Sequence, residues 1–347
     1  MQYPTKLSLL CLGTLATLGG TSTVLAHHGV TAHFDLDTPL VLEGRVAKLE
    51  MRNPHSTLHL DVTGSDGNAE RWHCEMHGST ILRRMDVTTD TLQPGMAIRI
   101  EGFPHRRDAQ GCYFDVGVLE NGRRIELGFL TGRQEAKTGS DATTGTIFGT
   151  WVRKDFAAVS QTVRRNFDVP LTEAGLAAHA NYDPIREDPT RNCSPVSQVR
   201  VWGMATQPTA ITQQGDDILI QHEWMDVRRP INLPPYSTMQ QPPAVLGHSR
   251  AEWQDDTLVI TTTGFTAGVL NQFVEDFAGQ ESTGILHSDQ LVFTETLAID
   301  PETDDLVLNW TANDPGYFTD SFSGSQRLVR SDLEIQPYNC VPDQQEP

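Results

Sequence analysis

Six histidines and one glutamate in the first quarter of the chain have the residue types and spacing of metal ligands. They are His27, His28, His55, His59, His73, Glu75 and His77. Imidazole combined with carboxylate suits copper, zinc, nickel or iron better than calcium or magnesium. The sequence therefore predicts binding of a transition metal, with copper favoured, and it assigns no reaction to the site.

A predicted β-hairpin over residues 54–77, with its turn in "GSDGN", would bring most of these side chains together. The register that pairs Leu60 with Trp72 and Asp61 with Arg71 satisfies both packing and charge. We expect the same register to place the ligand candidates on one sheet face, with three opposed pairs: His59 and His73, Thr57 and Glu75, His55 and His77. A register shifted by two residues would keep the faces and change these pairs, and solvated polar histidines are the competing interpretation.

The first 26 residues have the features of a secretory signal peptide. Lys6 precedes an apolar stretch over residues 7–18, and the small or apolar residues Val24 and Ala26 precede the first histidine pair. Cleavage after Ala26 would make His27 the N-terminus, and its α-amino group, with a pKa of about 8, would then be a further metal ligand. No later stretch is long and apolar enough to span a bilayer. These features predict a periplasmic or secreted protein.

The overall charge limits the partners of the chain. It has 26 basic and 45 acidic residues and a formal net charge of −19. Such a surface disfavours nucleic acid and anionic membranes as partners. A metal ion or a small neutral or cationic ligand remains compatible with it.

Four cysteines follow the predicted signal peptide: Cys74, Cys112, Cys193 and Cys340. None has the close Cys-x-x-Cys spacing of a zinc or redox site. An even number in an oxidising compartment indicates two disulfides, for which three pairings are possible. We favour Cys74–Cys112 and Cys193–Cys340, because each pair then falls within one predicted domain.

The period-two alternation of apolar residues predicts a mostly β protein with two domains. Residues 27–131 contain five predicted strands with a short helix between the third and fourth, as in small barrels that resemble the oligonucleotide/oligosaccharide-binding (OB) fold. Residues 132–149 are polar and rich in Gly and Thr, which is typical of a linker. Residues 150–347 are predicted to begin with helices, one near residues 151–167 and one capped by Thr172, and then to form a larger antiparallel barrel or sandwich.

The larger domain supports an alternative function, a small-molecule-binding barrel or an enzyme. His248 and His287, together with Trp253 or Trp310, would line the mouth of such a barrel. The competing interpretation is that the two histidines belong to turns. Ser249 in "GHSRA" matches a hydrolase nucleophile motif, but the strand before it and the helix after it are not predicted, which argues against a hydrolase.

Several segments of the first domain resemble an uncharacterised bacterial family of exported proteins, a domain of unknown function. The resemblance covers about residues 26–130 and rests on His27-His28, Asn53-Pro54-His55, residues 72–75 and "LQPG". That family usually has an aromatic residue before Asn-Pro-His, where this chain has Met51-Arg52. The resemblance implies a fold and candidate positions but no activity.

Two further resemblances concern single segments. The second half, with "GHSRAEWQDDTLVITTTGF" and the late "YNC", resembles other uncharacterised exported bacterial proteins. A histidine made N-terminal by signal cleavage is similar to the ligand arrangement of copper-dependent polysaccharide monooxygenases, at this one position.

Overall fold

The structure is a computed structural model that describes eight ranges of the chain: residues 33–64, 67–127, 145–153, 171–183, 187–203, 207–236, 241–277 and 280–342. The predicted signal peptide, His27, His28 and most of the predicted linker lie outside these ranges. Within them, no helix combines the length and the apolar composition needed to cross a bilayer.

The first domain is a closed five-stranded barrel with one extra strand. Its elements are β1 (Leu40–Glu50), β2 (Ser56–Thr63), β3 (Ala69–Met76), α1 (Ser79–Arg84), β4 (Ala97–Pro104), β5 (Gly111–Leu119) and β6 (Arg124–Glu126). The sheet order is β3-β2-β1-β4-β5-β6, and a parallel pairing of β3 with β5 closes the barrel. The predicted OB-like barrel, with its helix between the third and fourth strands, is confirmed.

Alternating side chains explain why these strands close around a core. Leu58, Leu60 and Cys74 point inward and are fully buried, while the residues between them face outward. Cys74 lies opposite Cys112 at the parallel pairing of β3 with β5, and the two are joined in the predicted disulfide. The covalent bond therefore links the two strands whose pairing closes the barrel.

The second domain contains a closed nine-stranded barrel, which confirms the predicted larger barrel. Its elements are β7 (Gly149–Arg153), α2 (Glu173–Ala180), α3 (Gln198–Gly203), β8 (Thr209–Gln214), β9 (Asp217–His222), β10 (Arg228–Asn232), β11 (His248–Gln254), β12 (Thr257–Thr263), β13 (Gly268–Phe277), β14 (Gln280–His287), β15 (Val292–Ile299), β16 (Leu306–Asn313) and β17 (Phe322–Arg330). The barrel order is β10-β11-β12-β15-β16-β17-β7-β8-β9, and β13 and β14 form a separate hairpin. Every barrel pairing is antiparallel except that of β10 with β11.

The start of this domain differs from the prediction. Trp151 was expected in a helix, but it lies in β7 and is fully buried in the barrel core. Ile147, inside the predicted linker, belongs to the same core. The apolar run "TIFGTWV" pairs with β8 and β17, and this tertiary pairing overrides the local helical pattern. The rest of that predicted helix lies outside the described residues, whereas α2 begins after Thr172 as predicted, with the Thr172 hydroxyl accepting a hydrogen bond from the Gly175 N–H at 3.0 Å.

Further elements were not predicted from the sequence, among them the strand β8. Strands were expected from Val199 onward, but Val199 lies in the helix α3, and the β13–β14 hairpin was missed.

A buried ion pair lies inside the larger barrel. Arg229 of β10 and Glu295 of β15 form two hydrogen bonds, at 2.9 and 2.5 Å, and both side chains are almost fully shielded from water. Trp202 of α3 donates its indole N–H to the same carboxylate at 2.6 Å. Because a buried charge needs such partners, this group fixes the helix and two distant strands relative to one another.

The C-terminal segment joins the two domains. It is held to the second domain by the predicted disulfide Cys193–Cys340. On the other side, the Asn53 side-chain amide donates to the Tyr338 carbonyl, and the Val341 N–H donates to the Asn53 carbonyl at 2.8 Å. Arg84 of α1 adds a two-pronged ion pair with the buried carboxylate of Glu223. Asn53 of the Asn-Pro-His motif thus binds the C-terminal segment, residues 338–341, which we call the tail.

Candidate functional site

The predicted hairpin register is confirmed by the pairing of β2 with β3. His59 lies directly opposite His73, and Thr57 lies opposite Glu75. The inward positions on both strands are buried in the core, so these residues share the outer face of the first barrel. His55 and His77 flank the ends of the paired strands, outside the named pairs.

Two histidines of this face have carboxylate partners. His55 Nδ1 lies 2.9 Å from Glu75 Oε1, and His73 Nε2 lies 2.8 Å from Asp108 Oδ2. An ionised carboxylate only accepts hydrogen bonds, so the ring nitrogen facing it carries the proton. In the neutral ring, the other nitrogen then carries the lone pair that a metal ion would bind.

Burial determines the charge of the other two histidines. It lowers the pKa of His59, although Glu50, whose carboxylate lies 3.8 Å away, acts in the opposite direction. It lowers the pKa of His77 to about 4, against the effect of a hydrogen bond to the Leu127 carbonyl at 3.0 Å. Both imidazoles are therefore neutral at pH 7, the form that binds metal ions.

The predicted ligands that the structure describes do not form one cluster. His73 and His77 are four residues apart on the outer face, which is about 13 Å along a strand. Ligands bonded to one ion at about 2 Å have donor atoms no more than about 4 Å apart. The set therefore divides into His59 with His73, and His55 with Glu75 and His77. Across the ranges that the structure describes, no three His, Cys, Asp or Glu side chains converge closely enough to hold a metal ion.

Three polar residues near the closure of the barrel, Asp108, His105 and His33, were missed in the sequence. Closure of the barrel brings the turn before β5 next to β3, and this turn carries Asp108 and His105. The His33 ring lies 5.7 Å from the His105 ring, centre to centre. The sequence "HRRD" over residues 105–108 contains the signal, but only the pairing of β3 with β5 connects it to His73.

Hydrogen bonds and nearby charges determine the protonation states of His105 and Asp108 in this turn. His105 Nδ1 accepts from the backbone N–H groups of Asp108 at 3.0 Å and Arg107 at 3.2 Å. Burial lowers the pKa of His105, with Asp108 opposing. Burial also acts to raise the pKa of Asp108, but the Gln110 N–H and His73 outweigh it, and the net shift is downward. Asp108 is therefore an ionised acceptor for His73.

Two of the candidates in the larger domain, His248 and Trp253, do not come together. His248 and Trp253 lie five residues apart on β11, which is about 17 Å. His248 bonds the Pro242 carbonyl at 2.7 Å, and Trp253 is exposed. His287 is buried, with Nδ1 bonded to the Ser288 carbonyl at 2.9 Å, and burial lowers its pKa. These contacts are those of residues that stabilise turns.

Two further polar residues of the second domain, His179 of α2 and Ser249 of β11, have structural partners. His179 uses both ring nitrogens, one with the Gly175 carbonyl at 2.7 Å and one with the Leu286 N–H at 3.0 Å. Ser249 is buried and bonded to Thr262 at 2.8 Å. It lies at the parallel pairing of β10 with β11, and no helix follows it. The strand-to-helix turn of a hydrolase nucleophile is not formed.

Comparison with known proteins gives a match in the first domain alone. Neither the curated proteins nor the solved structures contain a match to the chain. The matched segment includes His27, His28, the Asn-Pro-His motif and the hairpin, and it ends in the first part of β5. Residues 15–113, which form most of the first domain, thus match a family of unknown function, DUF6152.

Proposed function

We propose that the first domain binds a transition-metal ion, with copper favoured, through histidines on the outer face of its barrel. The observation that carries this proposal is the register of β2 and β3, which places His59 directly opposite His73. Directly opposed side chains have Cβ atoms about 4.5 to 5.5 Å apart, close enough for two imidazoles to share an ion. His55, Glu75 and His77 form a second group of nitrogen and oxygen donors on the same face.

His27 and His28 would complete the ligand set, because the described residues offer pairs of donors rather than three at one point. Cleavage after Ala26 would give His27 both an imidazole and an α-amino group as ligands. We propose that the protein is exported to the periplasm or secreted, where such cleavage takes place. Its two disulfides are compatible with an oxidising compartment.

Copper titration of the mature protein tests this function. The N-terminus is first identified by mass spectrometry, and copper(II) is then added and followed by electron paramagnetic resonance. We expect one equivalent to bind with a nitrogen-rich signal, and we expect that signal to be lost in His73→Ala and when an extra alanine precedes His27. The matched control is His248→Ala in the second domain, which should bind copper as the wild type does. A protein that gives no nitrogen-rich signal at one equivalent would overturn the proposal.

A further inference from the structure

We infer that the metal site proposed above is centred on His59 and His73, and that Asp108 is a positioning residue that orients His73 for the metal. This inference rests on the proposed function and names the part of the outer face that performs it. It also assigns a role to a turn that the metal-ligand pattern of the sequence did not include.

The contact that closes the barrel also brings Asp108 next to His73. The His73 N–H donates to the Gln110 carbonyl at 3.0 Å, and the His105 N–H donates to the Gly111 carbonyl at 2.9 Å. The first bond holds the turn between β4 and β5 against the edge of β3, and the second joins the two ends of the turn. As a result the Asp108 carboxylate lies 2.8 Å from His73 Nε2.

This contact leaves one ring nitrogen of His73 available to a metal ion. Because Asp108 accepts from Nε2, the neutral His73 ring has its lone pair on Nδ1. Histidines that bind metals almost always donate their other ring N–H to a carboxylate or carbonyl, which fixes the ring and makes it a better ligand. On the opposite strand, His59 Nε2 is buried and has no hydrogen-bond partner among the described residues. A polar nitrogen in that situation is suited to a ligand that the protein alone does not supply.

The His105 ring is bonded to the backbone of the same turn. Its Nδ1 accepts the Asp108 and Arg107 backbone N–H groups, so its neutral ring carries the proton on Nε2. That ring is therefore arranged to hold the turn in shape, with Asp108 at its position, rather than to bind the ion itself.

Residues 33–35 contact the same turn. The His33 carbonyl accepts the Arg106 N–H at 2.7 Å, and the Asp35 N–H donates to the Pro104 carbonyl at 2.9 Å. Phe34 is almost fully buried, with its ring 5.4 Å from that of Tyr113. This segment is thus anchored on the turn that carries Asp108.

A double-mutant cycle tests the role of Asp108. Copper affinity is measured by competition with a chelator of known affinity for four full-length mature proteins: the wild type, Asp108→Asn, His73→Ala and the double variant. If Asp108 acts through His73, Asp108→Asn should weaken copper binding by about 10- to 100-fold. The same change should have little effect once His73 is alanine, since the two residues then have no shared interaction to lose.

The control and the opposing outcomes separate this inference from the proposed function. Glu101→Gln, an exposed carboxylate that pairs with Arg99, should leave copper affinity unchanged. Thermal unfolding of each variant without metal should show that the fold is kept. Wild-type affinity in Asp108→Asn, or equal effects of this change with and without His73, would overturn the inference and leave metal binding intact. An absence of copper binding in the wild type would overturn both.

Discussion

Both barrels of this protein have an odd number of strands, but they place their histidines differently. Strands that alternate in direction cannot close a ring of odd number, so five strands and nine strands each need a parallel pairing. The first barrel has it between β3 and β5, and the second between β10 and β11. At the first, the Cys74–Cys112 disulfide joins the two strands, and at the second a hydrogen bond of 3.4 Å runs from Arg229 to Ser249.

The two domains also differ in where their histidines lie and in what those histidines contact. In the second domain His179, His222 and His287 are buried and bonded to other parts of the chain. In the smaller barrel the histidines lie on the outer face, and two of them have carboxylate partners. Buried histidines of the first kind maintain a fold, whereas those of the second kind are arranged as metal ligands are. This contrast is the reason why we propose a metal site on the smaller barrel and not in the larger domain.

The disulfides are expected to have the largest effects on stability. Cys193–Cys340 spans 147 residues and Cys74–Cys112 spans 38. The chain-entropy model therefore predicts losses of about 5 and about 4 kcal/mol in the free energy of unfolding when each pair is replaced by alanine. Denaturant unfolding combined with hydrogen exchange measures both the loss and its place. We expect Cys193→Ala with Cys340→Ala to weaken the larger barrel and the other pair to weaken the smaller one. An equal loss of protection in both barrels from either pair would contradict this division.

Breaking the buried ion pair tests the polar interior of the larger barrel. Arg229→Met would leave the Glu295 carboxylate buried without its cation, which costs about 3 to 5 kcal/mol of stability. Chemical denaturation of the full chain measures this loss. The matched control is Arg229→Met combined with Glu295→Leu, which removes both charges and should recover most of the stability. If the double variant were as unstable as the single one, packing rather than charge would explain the effect.

Acid should destabilise the larger barrel through its buried histidines. Burial lowers the pKa of His222 well below its usual value, with Arg229 acting in the same direction. The unfolded chain binds a proton near pH 6.5 and the folded chain does not. Stability is therefore fully present above that pH and is lost as the pH falls below it, by up to about 2 kcal/mol for one group at pH 5. The pH dependence of unfolding should become shallower in His222→Gln, and an unchanged slope would contradict this assignment.

The smallest effect is expected where the tail meets the first domain. Asn53→Ala removes the side-chain bond to the Tyr338 carbonyl, which should cost about 1 kcal/mol. The Val341 N–H should then exchange faster with solvent, because its bond to the Asn53 carbonyl loses support. The exposed Asn309→Ala is the control and should not change this exchange. Unchanged Val341 protection in Asn53→Ala would mean that the disulfide alone holds the tail.

Local patterns explain which features could be predicted. Alternating apolar residues and a short turn determine the register of a hairpin, because neighbouring segments pair with little choice of partner. The pairing of His59 with His73 followed from this. The exclusion of hydrolase chemistry at Ser249 followed in the same way from the missing helix. Trp151 was misassigned because its five-residue strand is too short for its period to be distinguished from that of a helix.

By itself, the sequence determined the mostly β class, the inward and outward faces of the first hairpin, and the two disulfide pairs once each was confined to one domain. Only the tertiary structure decided that Asp108 faces His73, that Asn53 holds the C-terminal segment, and that Arg229 and Glu295 pair inside the barrel. The physical reason is that periodicity specifies which side of a strand a residue occupies. Which distant strand lies beside it depends on how the whole sheet closes.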